Sequence, residues 1–184
     1  MKSMAAQLNQ EDRNREARNS MTVILECIYE CKNENYFDVK LARTLGPCLQ
    51  IETITVRRTL RSEVAKTILL TNILRTNTSM TKLDLSLNKI CDDGAAALAD
   101  CLKEKKSLTD LSLSSNEIGD AGAAALAKCL KENKCLRTLD LDENNISEAG
   151  AAALAECVKE NSSLEKLYLN GNILREAGAA ALAK

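Results

Sequence analysis

Apolar and polar residues alternate in short runs such as Leu111-Ser112-Leu113, Leu139-Asp140-Leu141 and Leu167-Tyr168-Leu169, a period of two that predicts a strand at each place. Each run is followed by a Gly-Ala-Ala-Ala-Leu-Ala string. Apolar residues then recur three and four places beyond its leucine, as in Leu126, Cys129 and Leu130 or Leu154, Cys157 and Val158. That spacing predicts a helix. Strand and helix recur in step: Asn88, Asn116, Asn144 and Asn172 stand 28 residues apart, as do Gly94, Gly122, Gly150 and Gly178, and Leu98, Leu126, Leu154 and Leu182.

One strand and one Ala-rich helix cannot bury their shared apolar face alone. Neighbouring units must stack, with strands in a parallel sheet on one side and helices on the other. The expected architecture is an α/β solenoid, a horseshoe with parallel strands on its concave face and helices on its convex face. Leu83, Leu85 and Ile90 with Leu98 and Leu102 are expected to fill the first regular layer. The repeated Asn stands where the chain leaves each strand. Its side chain can satisfy turn groups that would cost about 1–3 kcal/mol each if buried unpaired, so its expected role is structural rather than catalytic.

The string L-x-x-L-x-L-x-x-N-x-I, present from Leu108 to Ile118 and from Leu136 to Ile146, and with Met80 as its first residue from Met80 to Ile90, resembles a leucine-rich repeat. The last copy reads Asn172-Ile173-Leu174 where the others have Asn-x-Ile. A 28-residue unit with a full helix is similar to the ribonuclease-inhibitor subclass. Upstream, the segment from Leu25 to Gly46 resembles the helical stretch that leads into the repeats of NOD-like receptors, through Leu25, Cys27, Ile28, Tyr29 and Glu30. That resemblance implies the sensing end of a cytosolic immune receptor, or a free-standing relative of one. No G-x-x-x-x-G-K-[ST] string is present.

The reading divides the chain into a polar segment over 1–19, disordered or helical, a helical cap over 20–50, a degenerate first repeat over 51–79 and four regular repeats over 80–184, the last truncated. In the cap, Ser20 can start a helix whose face carries Met21, Ile24, Leu25 and Ile28, and Phe37, Leu41 and Leu45 line a second that Gly46-Pro47 ends. In the first repeat Ile51, Ile54 and Val56, then Leu69 and Ile73, overlie the regular units with an offset of 29, although Thr59 and Ala65 replace the Asn and Gly. Leu164, Leu167, Leu169, Leu174 and Leu182 are layer residues with no unit after them. The expectation is self-association through residues 164–184, or a natural chain that continues with more repeats.

Charge changes the picture by exclusion. Lys plus Arg number 25 against 26 Asp plus Glu, a net charge of −1, so no general field favours nucleic acid or an anionic membrane. The first 20 residues lack the apolar middle of a secretory signal, and a cytoplasmic location is expected. Cys101, Cys129 and Cys157 share one helical position and are expected as buried free thiols. Cys27 and Cys31 could share a helix face, but the chain has no histidine, and no metal or other cofactor is expected. With no nucleophile elbow and no paired carboxylates in a cleft either, the expected protein is not an enzyme.

What varies from copy to copy is the outward side of the strands. Lys82, Asp110, Thr138 and Lys166 form one expected column, Asp84, Ser112, Asp140 and Tyr168 the next, and Ser86, Ser114, Asp142 and Asn170 a third. Asp110, Asp140, Asp142 and Glu143 are expected to gather into an acidic patch beside Tyr168. A constant core under a changing surface points to a scaffold that binds a protein partner on its concave face. The alternatives are a regulator of a small GTPase, since the Ran GTPase-activating protein resembles this repeat type, and an enzyme inhibitor of the ribonuclease-inhibitor kind.

Overall fold

The computed structural model describes residues 53–55 and 78–183. The proposed polar segment and cap, with Cys27 and Cys31, lie outside these residues, as does most of the proposed first repeat. Five parallel strands form one sheet in chain order: β1 (Thr53–Thr55), β2 (Lys82–Asp84), β3 (Asp110–Ser112), β4 (Thr138–Asp140) and β5 (Lys166–Tyr168). Among the described residues the helices are α1 (Cys91–Glu104), α2 (Asp120–Glu132), α3 (Glu148–Glu160) and α4 (Arg175–Leu182). Each helix packs on the next. From β2 to β5 the register advances by one repeat per strand, Leu83 facing Leu111, then Leu139, then Leu167; Thr53 of β1 faces Lys82, an offset of 29.

The expected layer is present. Leu83, Leu85, Ile90, Leu98 and Leu102 are all buried, as are their counterparts in the next unit, Leu111, Leu113, Ile118, Leu126 and Leu130. Cys101, Cys129 and Cys157 are buried among them, whereas Cys91 is exposed and Cys135 half-buried. In the last unit Leu164, Leu167, Leu169 and Leu174 pack against the core from half-buried positions. Leu174 takes the place of Ile146, and Ile173 extends the adjoining ladder by donating its N–H to the Ile146 carbonyl at 2.8 Å.

The Asn column closes the turns. Asn144 Oδ1 accepts from the N–H groups of Asn116 and Ile118, both at 3.0 Å, and its amide donates to the carbonyls of Leu113, Leu141 and Asp142, also at 3.0 Å. Asn116 makes the equivalent bonds one unit earlier, to Asn88 N and to the Leu85 carbonyl. Through five bonds this buried amide joins two units, the structural role expected of it.

Two further ladders tie unit to unit on the helix side. Asp92 Oδ1 accepts from the N–H groups of Gly119 and Gly122 at 2.7 and 2.9 Å, and Asp120 Oδ1 from those of Ser147 and Gly150 at 2.8 and 2.9 Å. Each carboxylate therefore caps the N-terminus of the following helix, which has no cap from its own side chains. At the other helix end, Asn133 donates to the Leu102 carbonyl and Asn161 to the Leu130 carbonyl. Lys105 occupies the corresponding place one unit earlier, and its burial lowers the ammonium pKa.

Candidate protein-interaction surface

A three-residue strand points its central leucine inward and its two outer residues away from the helices. The register brings Lys82, Asp110, Thr138 and Lys166 into one row and Asp84, Ser112, Asp140 and Tyr168 into the next, as the alternation predicts. Across both rows lies a depression of about 340 Å³ lined by Lys82, Asp84, Asp110, Ser112, Thr138, Asp140 and Tyr168, with Leu83 and Leu111 at its floor.

Hydrogen bonds hold the polar groups of the second row in fixed orientations. Asp84 Oδ1 accepts from the hydroxyl of Ser86 at 2.6 Å and from its N–H at 3.0 Å. The Ser86 and Ser112 hydroxyls lie 3.0 Å apart. Ser112 donates to Asp140 Oδ2 at 2.8 Å, and Asp142 N–H donates to Asp140 Oδ1 at 3.0 Å. Asp142 in turn accepts from Asn170 N–H at 2.6 Å. The chain of contacts runs from β2 to the segment beyond β5.

Two placements differ from the sequence-based expectation. Ser86 is only 6% exposed, because its hydroxyl turns back onto Asp84 rather than outward, so it offers no surface to a partner. The acidic residues also divide. Asp110 and Asp140 share the depression with Asp84, which the expected patch had omitted, while Asp142 and Glu143 lie outside that lining. Glu143 follows the strand by three residues, where it accepts from the Ser115 hydroxyl at 2.7 Å. Ser114 and Asn170 keep to the third row beyond the depression, and Lys166 is exposed at its margin. Tyr168 is 42% exposed.

Two exposed cations of the described residues are paired, Lys89 with Glu117 at 3.4 Å and Arg137 with Glu165. All four groups are exposed, and such pairs contribute about 0–1 kcal/mol. Among the described residues no three His, Cys, Asp or Glu side chains are arranged to hold a metal ion, and no helix is long and apolar enough to cross a membrane.

Residues 76–99, 104–127 and 132–155 match the family model described as Leucine Rich repeat. No curated protein matches the chain. Among solved structures, the chain is similar to one named leiomodin-1 actin-binding site 2, with 24% identity, a TM-score of 0.63 and coverage of 81% of this chain and 88% of that one. It is also similar to a tropomodulin C-terminal domain from Caenorhabditis elegans, with 14% identity, a TM-score of 0.65 and coverage of 79% and 89%. The repeats matched by sequence are the units stacked in the structure, and the chain folds as an α/β leucine-rich-repeat solenoid.

Proposed function

We propose that this chain is a non-catalytic protein-binding scaffold that takes its partner on the strand face, over Lys82, Asp84, Asp110, Ser112, Thr138, Asp140 and Tyr168. The observation that carries the reading is the contrast between an apolar layer repeated from unit to unit and a depression whose polar lining differs in every unit. A stacked parallel sheet cannot flex much, so recognition there rests on side-chain identity. Tyr168 supplies an amphipathic anchor of the kind that dominates protein interfaces, and the carboxylates supply charge complementarity. Ser114, Asp142, Glu143, Lys166 and Asn170 form the rim of the same proposed surface.

The leiomodin-1 structure that shares the fold is named for an actin-binding site, which makes actin the first partner to try. The finer reading, a cytoplasmic sensing or regulatory portion of a NOD-like-receptor-type protein with repeats of the ribonuclease-inhibitor subclass, is supported by the Leu25–Gly46 string and the 28-residue unit. In the test, filamentous actin is sedimented with the intact chain and with Asp140→Lys and Tyr168→Ala variants. Partners captured from lysate are compared in parallel. The expected outcome is a loss of about tenfold or more in affinity for each variant, with unchanged thermal unfolding. Folded variants that bind every partner as the parent does would sink the strand-face reading, and an intact chain that stays in the supernatant while the filaments pellet removes actin alone.

A further inference from the structure

Asp140 and Tyr168 are register partners on adjacent strands, about 4.8 Å apart in the sheet, and both line the depression. The Asp140 carboxylate is held at both oxygens, by the Ser112 hydroxyl on Oδ2 and the Asp142 N–H on Oδ1. A carboxylate has about four acceptor positions, so each oxygen keeps one for an incoming donor. No Lys or Arg of the described residues forms an ion pair with Asp140. The anion is thus oriented in advance next to a partly exposed aromatic ring.

We propose that the strand face recognises a partner protein through an arginine side chain of that partner, its guanidinium forked onto Asp140 and its plane stacked on Tyr168. This rests on the strand-face reading above and adds the chemistry of the occupant. Arginine fits better than lysine for two reasons. Its planar fork can donate to both carboxylate oxygens at once, and its weakly hydrated face stacks on an aromatic ring, whereas an ammonium is a strongly hydrated point charge. Asp110, one row upstream in the same depression, adds a second negative charge, and its Oδ2 is oriented by the Thr109 hydroxyl at 2.7 Å. Lys82, which also lines the depression, stands at its β2 end, two strands from Asp140.

The test uses the full chain, labelled with nitrogen-15, and three capped pentapeptides of sequence Gly-Gly-X-Gly-Gly in which X is arginine, lysine or citrulline. Citrulline keeps the shape of arginine and removes its charge. Saturable amide shifts are expected with the arginine peptide, centred on Ser112–Leu113, Leu139–Leu141 and Leu167–Leu169. Binding of the lysine peptide should be at least about threefold weaker, and the citrulline peptide should cause no saturable shift. Asp140→Asn and Tyr168→Leu should each weaken arginine binding about fivefold, with unfolding midpoints showing the variants folded. Equal shifts with citrulline, shifts elsewhere, no saturable shift, or indifference to Asp140→Asn would each overturn the proposal. If partner capture by the chain is lost on Tyr168→Ala while the arginine peptide still fails to bind, the arginine proposal fails and the strand-face reading stands.

Discussion

Leu87, Ser115, Glu143 and Gly171 occupy one position in successive units, two residues beyond the second leucine of each Leu-x-Leu run, and their φ angles are +64°, +55°, +54° and +70°. The turn that sets up each Asn ladder demands a left-handed residue there, whatever its side chain. For a non-glycine L-residue that conformation costs about 1–2 kcal/mol, so the first three units carry strain that the fourth lacks. The two ends of the series should respond oppositely to exchange. Leu87→Gly removes a 39% exposed side chain and the strain with it, and is expected to raise stability by roughly 0.5–1 kcal/mol after the greater flexibility of glycine in the unfolded chain is subtracted. Gly171→Ala introduces the strain and brings a Cβ to 3.2 Å from Glu143 Cγ, and is expected to lower stability by about 1 kcal/mol. Urea midpoints of the two variants should move in opposite directions; a shift of both the same way would show that the turn does not fix this conformation.

At the scale of the element, the starts of α2 and α3 are each completed by the unit before. Gly122 is the clearest case: an added Cβ would lie 2.7 Å from both Asp92 Oδ1 and Ile118 Cγ2 and 3.0 Å from Ala95 Cβ. Alanine favours a helix over glycine by about 1 kcal/mol, yet Gly122→Ala is expected to destabilise by roughly 1–3 kcal/mol, because the capping carboxylate and the neighbouring helix must both move. Chemical denaturation reads the sign directly. The same cap links stability to pH. The Ser147 hydroxyl, and behind it the Ser147 and Gly150 N–H groups, hold the Asp120 carboxyl below its ordinary value of 3.8. The unfolded chain therefore binds its proton first, so the stabilisation is present above pH 3.8 and is lost as pH falls through the lower folded-state value. Asp120→Asn should flatten the stability curve below pH 4, and parallel curves for parent and variant would exclude the cap as its source. The apolar pattern made the strands, the helices and the Asn ladder legible, because residues such as Leu111 and Leu126 are placed by burial alone. It did not show that Asp92 and Asp120 cap across units, although their 28-residue step was visible, because the bond joins residues 27 and 30 positions apart. The strand rows were legible for the same reason as the core. The inward turn of Ser86 and the division of the acids were not, since they depend on hydrogen bonds rather than on period.

At the scale of the molecule, each described unit packs on the next, so a residue type repeated at one place becomes a continuous internal column. Cys101, Cys129 and Cys157 form such a column through the helix side of the core. Burial pushes the Cys129 thiol up from 9.0 to about 12 and raises that of Cys157 in the same direction, since a thiolate there would lie in apolar surroundings. Between pH 9 and 12 the unfolded chain releases these protons while the folded chain keeps them, so stability is full below pH 9 and falls as pH rises through the folded-state values. Lys105 works the other way, because its lowered folded-state pKa makes stability rise with pH up to its ordinary value of 10.5. The expectation for the thiol contribution is a loss of stability above pH 9. Cys129→Ala separates this from other alkaline effects. It should be less stable than the parent at pH 7, from the cavity it leaves, and the difference should shrink steadily toward pH 11 as the parent loses the contribution of its thiol. Urea midpoints at pH 7, 9, 10 and 11 measure it, and a difference that stays constant across the series would mean that the buried thiol column has no part in alkaline unfolding.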